Sequence, residues 1–152
     1  MDDFKALIAL LTVIAIALLP IWLRRGAVPR SSGRLRDREL VVVSRSPTMK
    51  SVLEKSICRE VRACSFVDLA VLKAGAHRAN RDKVLLLVDA DSRRMAREVA
   101  DFLEPAPTAL VLASPWALGP RRRLRSKGIP VQLRGASVAA IRNKLESLAK
   151  DV

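Results

Sequence analysis

The sequence has no tyrosine, a single histidine and two cysteines, and each shortage excludes a class of site. Aromatic residues make up 3% of the 152 residues, too few for a platform on which nucleic-acid bases stack. The lone histidine, His77, supports neither a histidine-rich metal site nor a catalytic triad. Cys58 and Cys64 are too few for a zinc site, and we expect them to be reduced packing residues. Nucleic-acid binding and zinc binding are therefore disfavoured.

One long apolar segment stands near the start of the chain. Ala6–Leu23 contains no charged residue, and a helix of this length nearly crosses a hydrocarbon core of about 30 Å. A secretory signal peptide is the alternative, but the preceding MDDFK carries two acidic residues and one lysine, and no small-x-small cleavage site follows closely. We predict a retained transmembrane anchor over residues 1–23.

A basic juxtamembrane linker, residues 24–38, follows this predicted anchor. Its arginines are Arg24, Arg25, Arg30, Arg34, Arg36 and Arg38. By the positive-inside rule they predict a cell-membrane protein with its N-terminus outside and its C-terminal domain cytoplasmic. Arginines beside anionic lipid gain about 1 kcal/mol each, so a membrane surface accounts for much of the net charge of +13. A second basic cluster, RRRLRSKG at 121–128, is favoured as a solvated surface.

From residue 39 onward, apolar runs alternate with helical patterns. The runs are ELVVV at 39–43, EVRAC at 60–64, VLLLV at 84–88, ALVLA at 109–113 and PVQL at 130–133. Continuous apolar runs are typical of strands that are covered on both faces. Helix starts are indicated by Ser46-Pro47 and by the capping-box spacing of SFVD at 65–68, and Ile141 and Leu145 belong to an apolar helical stripe.

This alternation predicts an α/β domain over residues 39–152. Right-handed crossovers give a doubly wound, mostly parallel five-stranded sheet in the order 2-1-3-4-5, with helices on both faces. That order brings the carboxyl ends of the first and third strands together and forms a crevice there. A small ligand, if the domain has one, is expected in this crevice.

The crevice is predicted to contain both carboxylate and hydroxyl groups. Ser44 and Arg45 follow the first run, Asp89 and Asp91 the third, and Ser114 the fourth. Two carboxylates suit Mg²⁺ or Mn²⁺, which in turn would neutralise a diphosphate or a transferring phosphoryl group. In the alternative interpretation Asp89 ends a strand, and Asp91 and Ser92 cap the next helix. The sequence leaves both interpretations open.

The stretch AVLKAGAHRANRDKVLLLVDADS, residues 70–92, resembles the nucleotide-sugar-binding half of family 2 glycosyltransferases. The matching positions before the third run are Leu72, Ala74, Gly75, Ala79 and Asp82. The resemblance implies that Asp89 and Asp91 coordinate a metal ion that holds a nucleotide-sugar diphosphate. The family's P-x-x-N-E motif and its acidic catalytic base are missing, which implies a catalytically incomplete transferase.

Two further families resemble the same region. The domain from Glu39 onward resembles a response-regulator receiver domain, with Asp89 as the phosphoacceptor, Ser114 after the fourth strand and Arg134 after the fifth. Ser44 and Arg45 then replace the acidic pair that binds Mg²⁺, which implies a pseudo-receiver that docks a partner without phosphotransfer. The third resemblance is to a degenerate Toprim domain of primases and topoisomerases. It is carried by Asp89 and Asp91, which form a DxD motif, and by LVVVSRSPTMKSVLEK at 40–55.

All three resemblances lose acidic residues at the end of the first strand. We predict that Arg45 forms an ion pair with Asp89 and so replaces the metal with an internal cation. A membrane-anchored nucleotide-sugar-binding domain is then the first functional hypothesis. A non-enzymatic interaction module, bound to a protein partner, to a second copy or within a membrane complex, is the second.

Overall fold

The computed structural model of the protein describes residues 33–75, 83–105 and 108–150. These ranges contain five strands, five α-helices and one short 3-10 helix, Ile57–Arg59. The strands are β1 (Glu39–Val43), β2 (Ala63–Val67), β3 (Val84–Ala90), β4 (Ala109–Ala113) and β5 (Val131–Leu133). The helices are α1 (Pro47–Lys55), α2 (Leu69–Lys73), α3 (Arg93–Phe102), α4 (Leu118–Ser126) and α5 (Val138–Leu148).

The five strands form one parallel sheet in the order β2-β1-β3-β4-β5. This confirms the predicted α/β class and strand order. In the centre of the sheet, β1 pairs with β3, so that Leu40 lies beside Leu85 and Val42 beside Leu87. The central strands are almost entirely aliphatic because helices cover both faces and bury both sets of alternating side chains.

Two hydrophobic clusters lie on the two faces of the sheet. On one face, Leu53 of α1 and Ile141 of α5 pack against the strands. On the other, Leu69 of α2, Met95 of α3 and Leu124 of α4 do the same. The predicted apolar stripe of the last helix therefore packs on the sheet. Because every neighbouring pair of strands is parallel, all carboxyl ends lie at the same edge.

Serine side chains begin three of the helices. Each serine hydroxyl accepts a hydrogen bond from one of the backbone N–H groups that the first helical turn leaves without a partner. The bonds are Met49 to Ser46 at α1, Met95 to Ser92 at α3 and Ala140 to Ser137 at α5. The helix start predicted at Ser46-Pro47 is confirmed, and Ser92 begins a helix as one of the two open interpretations expected.

The second strand lies further along the chain than the sequence predicted. A strand was expected at 60–64 and a helix start at 65–68, but β2 runs from Ala63 to Val67. Asp68 is the N-cap of α2 and makes no side-chain cap hydrogen bond. Every residue of β1 has a partner in β2. Because this ladder pairs backbone groups along its whole length, it outweighs the local helix-start signal.

Residues 33–38, predicted as linker, pack against the domain. Leu35 is 1% exposed and belongs to the cluster beneath α1 and α5. Arg38 donates a hydrogen bond from Nη2 to the carbonyl of Ala149, 3.0 Å away. Arg34 and Arg36 are exposed, whereas Arg24, Arg25 and Arg30 lie outside the described residues. This turn thus joins the start of the domain to the end of α5.

The predicted transmembrane segment Ala6–Leu23 also lies outside the described residues. Among residues 33–75, 83–105 and 108–150, none of the helices has both the length and the apolar character that a bilayer crossing needs. The anchor and the cytoplasmic location of the domain stay predictions.

The prediction that both cysteines are packing residues is confirmed, since both contact the cluster that contains Leu53, but the prediction that they are reduced is wrong. Cys58 and Cys64 are joined as a disulfide, and their Cα atoms are 5.3 Å apart. The prediction rested on the expected cytoplasmic location, where thiols are kept reduced. It did not consider the turn between the 3-10 helix and β2, which brings the two side chains together.

Candidate functional site at the carboxyl edge of the sheet

Three polar side chains converge at the carboxyl ends of the strands. Ser44 directly follows β1, Asp89 is the sixth residue of β3, and Arg134 directly follows β5. Asp89 is completely buried and Ser44 is 2% exposed. The parallel sheet brings these ends to one edge, although 45 residues separate Asp89 from each of the other two. We call these three residues the Asp89 network.

Arg134 binds the carboxylate of Asp89 through two guanidinium nitrogens. Its Nε donates to Oδ1 at 2.8 Å, and its Nη2 donates to Oδ2 at 3.5 Å. The backbone N–H of Arg134 donates to the carbonyl of Ala113 at 2.9 Å, which extends the ladder between β4 and β5. The next residue, Gly135, has a φ of +98°, a conformation that favours glycine and turns the chain away after the arginine.

Ser44 supplies the remaining hydrogen bond of the network. Its hydroxyl donates to Oδ2 of Asp89 at 2.9 Å and accepts from the backbone N–H of Ser46 at 3.1 Å. Ser46 is itself the N-cap of α1. The network therefore connects the carboxylate in β3 to the start of α1. Arg134 and the Ser44 hydroxyl donate to the carboxylate, and the Ser46 N–H donates to the Ser44 hydroxyl.

The charges of the site agree with this geometry. The hydrogen bond from Arg134 to Asp89 and the charge of that carboxylate raise the pKa of Arg134 above its ordinary value, and burial opposes them. The charge of Asp91 contributes in the same direction. Two carboxylates thus act on a single guanidinium, which stays protonated.

The predicted ion pair between Arg45 and Asp89 is wrong. The guanidinium that reaches Asp89 belongs to Arg134, and Arg45 is exposed. Both residues follow the end of β1, where the backbone N–H of Ser46 turns back to the hydroxyl of Ser44, and only the Ser44 side chain contacts Asp89. An internal cation is present as the sequence predicted. It is Arg134, which follows β5, and not Arg45, which follows β1.

The other predicted crevice residues have local roles. Ser92 caps α3, which agrees with the interpretation of this segment as a helix start. The hydroxyl of Ser114 accepts a long hydrogen bond, 3.4 Å, from the backbone N–H of Trp116. Asp91 is half-buried beside the network. Asp89 is not a strand terminus, because β3 continues to Ala90 and Asp89 pairs with Leu112 of β4.

A divalent cation would meet an occupied carboxylate at this edge. Both oxygens of Asp89 accept hydrogen bonds from protein donors, so a metal would have to displace Arg134. Within the described residues, no group of three or more His, Cys, Asp or Glu side chains is arranged to hold a metal ion. Asp89 and Asp91 alone give few of the six oxygen ligands that an octahedral Mg²⁺ or Mn²⁺ takes.

The sequence did not indicate a second internal ion pair, between Arg142 of α5 and Glu60. Nη2 of Arg142 lies 2.7 Å from Oε1 of Glu60, and Arg142 is 8% exposed. No local sequence signal marks the burial of Arg142. This pair fastens α5 to the segment before β2.

The fold and the Asp89 network together define a class: a doubly wound α/β domain whose acidic crevice residue is neutralised by an internal arginine. No protein-family model matches the chain, and no curated protein is significantly similar to it in sequence. The geometry of the carboxyl edge is therefore the basis on which a function can be proposed.

Proposed function

We propose that the chain is a membrane-tethered interaction module whose cytoplasmic domain resembles a receiver but carries out no metal-dependent chemistry. Its ligand is a protein partner or a second copy of the chain. The Asp89 network carries this proposal, because its carboxylate is already paired with an internal cation.

The energetics of the ion pair support a closed site. Removing one partner of a buried ion pair lowers the free energy of unfolding by about 3–5 kcal/mol. The loss is smaller here because the Arg134 side chain is 34% exposed and can be solvated. A divalent ion would keep most of its water ligands and take at most two carboxylates from the protein, so its binding has to offset the loss of the Arg134 pair with few protein ligands. Arg134 therefore competes well with Mg²⁺ or Mn²⁺ for Asp89.

The nucleotide-sugar hypothesis ranks second for the same reason. A metal that holds a sugar-nucleotide diphosphate needs both Asp89 and Asp91, whereas a receiver-like module needs neither as a ligand. The resemblance to family 2 glycosyltransferases stays a prediction, as does that to Toprim domains, and both require that Arg134 leaves the carboxylate.

Titration calorimetry with Mn²⁺ tests the proposal on the full chain in detergent micelles, with and without UDP or GDP. We expect no binding by the unaltered protein. Arg134→Gln frees the carboxylate of Asp89 and should create weak Mn²⁺ affinity that Asp91→Asn removes. Arg45→Gln is the matched control, because it removes an arginine from the same edge without touching Asp89.

Two results would contradict the closed-site proposal. The first is Mn²⁺ binding by the unaltered protein that strengthens with nucleotide and requires both aspartates, which would favour the nucleotide-sugar site. The second is an equal gain of affinity in Arg45→Gln and Arg134→Gln, which would mean that Arg134 does not specifically occupy Asp89.

The binding role has its own test. A membrane partner should co-purify with the full chain, and the association should survive Asp91→Asn, because an interaction module does not use that carboxylate as a ligand. Loss of the partner on this conservative change, with the fold intact by circular dichroism, would argue for a ligand at the two aspartates instead.

A further inference from the structure

The turn between β4 and α4 exposes two large apolar side chains. Trp116 is 84% exposed and Leu118 is 60% exposed, more than any other large apolar side chain of the described residues. Leu133, at the end of β5, is 44% exposed and pairs in register with Ala113, which lies just before the turn. Three exposed apolar side chains are thus grouped at this part of the carboxyl edge.

Hydrogen bonds fix the conformation of the turn that carries Trp116. The backbone N–H of Ala117 donates to the carbonyl of Ser114 at 3.1 Å, and Ala117 is fully buried. Nη1 of Arg121 donates to the carbonyl of Pro115 at 3.3 Å and ties the turn to α4. A side chain on a preorganised turn loses less conformational entropy when it binds. The exposure of Trp116 is therefore built into the fold.

Arginines continue this surface along α4. Leu118, Arg122 and Arg125 are spaced four and three residues apart, which puts them on one face of the helix. Both arginines are exposed, and neither makes an ion pair within the part of the chain that the structure describes. Arg123, in contrast, pairs with Asp101 at 2.7 Å. The stripe from Trp116 to Arg125 carries positive charge that the domain itself does not neutralise.

We propose that Trp116, Leu118, Arg122 and Arg125 form a lipid-docking surface that lays α4 on an anionic bilayer. Tryptophan is favoured at the boundary between headgroups and acyl chains, and a leucine beside it adds apolar contact. The arginines would bind headgroup phosphates while their aliphatic stems cover apolar surface. Charge complementarity selects anionic over zwitterionic lipid. The inference is independent of the closed Asp89 network.

A nucleic acid is the competing polyanion, and the surface suits it less. Strands without sequence preference are bound by several aromatic side chains in a basic groove. Here a single indole precedes a convex helix face. An exposed tryptophan beside arginines that have no ion pair among the described residues instead suits the headgroup region of a bilayer, where indole rings are favoured and arginines meet anionic lipid.

Tryptophan quenching by brominated lipid tests the proposal on the full chain. Trp22→Phe leaves Trp116 as the only tryptophan. The protein is reconstituted into vesicles of brominated phosphatidylcholine, with or without phosphatidylglycerol. We expect quenching and a blue shift of Trp116 emission only when the anionic lipid is present, and a loss of both at high salt.

Variants separate the docking surface from general basic charge. Arg122→Gln with Arg125→Gln should shift the docked–undocked equilibrium by about 30-fold toward the undocked state, the effect expected for two arginines near anionic lipid. Arg59→Gln with Arg62→Gln removes the same charge from two exposed positions beside β2 and should leave the quenching unchanged.

Four outcomes would overturn the proposal. Trp116 emission that stays unquenched in anionic vesicles excludes contact with the bilayer. Equal quenching in zwitterionic vesicles, or an equal loss in both double variants, excludes the specific role of Arg122 and Arg125. Emission that responds to an added single-stranded oligonucleotide but not to lipid assigns the surface to nucleic acid instead.

Discussion

A double-mutant cycle on Asp89 and Arg134 measures whether the internal cation stabilises the domain. Arg134→Gln leaves a fully buried carboxylate with Ser44 as its remaining side-chain donor. We expect a loss of about 3 kcal/mol in the free energy of unfolding, the lower end for a broken buried pair, because the Arg134 side chain is 34% exposed. Asp89→Asn leaves an arginine that can turn to water, and its loss should be smaller, about 1–2 kcal/mol.

The interaction term of the cycle is the informative quantity. When both changes are combined, no unpaired charge stays buried, so the double variant should be more stable than the sum of the single losses implies, by about 2 kcal/mol. Urea unfolding of the full chain in detergent micelles, followed by the helical circular dichroism signal, gives the four free energies. The coupling should persist at high salt because the carboxylate is buried.

The exposed pair Arg123–Asp101 is the matched control. Its Nη1 to Oδ1 distance is 2.7 Å, but the two side chains are 65% and 55% exposed. The cycle Arg123→Gln with Asp101→Asn should give about 0.2–1 kcal/mol, and salt should reduce it. If the Asp89–Arg134 coupling is no larger than this control, Arg134 does not neutralise a buried charge, and the closed-site reasoning is refuted.

Two further predictions concern α3. Lys73 donates to Glu98 at 3.0 Å, and this bond, then the charge of Lys73 and the contacts of Arg94, hold the pKa of Glu98 below its ordinary value. The ionised form is therefore favoured in the folded state, and its contribution is present at neutral pH and lost as the pH falls through that lowered pKa. Lys73→Gln should raise the Glu98 midpoint in an NMR titration. Ser92→Ala should lower the free energy of unfolding by about 1 kcal/mol in the urea assay, because the N-cap bond of α3 is lost.

A control variant accompanies each of these two predictions, and the controls lie in α3 and α4, which pack on the same face of the sheet. Arg94→Gln should move the Glu98 midpoint less than Lys73→Gln, because the Lys73 contacts have the larger effect on that carboxyl. Ser126→Ala removes an exposed hydroxyl that bonds only within its own helix end, and should change stability by about 0.5 kcal/mol or less. A larger effect at Ser126 than at Ser92 would contradict the assignment of the cap.

The sequence predicted the parts of the fold that local patterns determine. β1 and β4 begin and end at the predicted residues. Their continuous aliphatic runs are stable only as strands buried between two layers of helices, so the run itself marks the strand. The edge strand β2 was placed three residues early, since ACSFV lacks a continuous apolar pattern and its limits are set by pairing with β1. Local signals say little about an edge strand that is half exposed.

The candidate site was predicted in its residues but not in its contacts. Ser44, Asp89 and Arg134 were all expected at the crevice, yet the arginine next to Ser44 in sequence was chosen as the partner of Asp89. The choice between Arg45 and Arg134 depends on which way each side chain points from its strand end. For Arg134 that direction follows from the register between β4 and β5, which is a non-local property.

The hydrogen bond from Arg38 to the carbonyl of Ala149 makes the two ends of the described domain neighbours. Both ends lie at the amino edge of the sheet, where β1 begins and α5 finishes. The Asp89 network and the Trp116 turn lie at the opposite edge. A label attached at Lys150 would therefore lie at the amino edge and leave the Asp89 network and the Trp116 turn accessible.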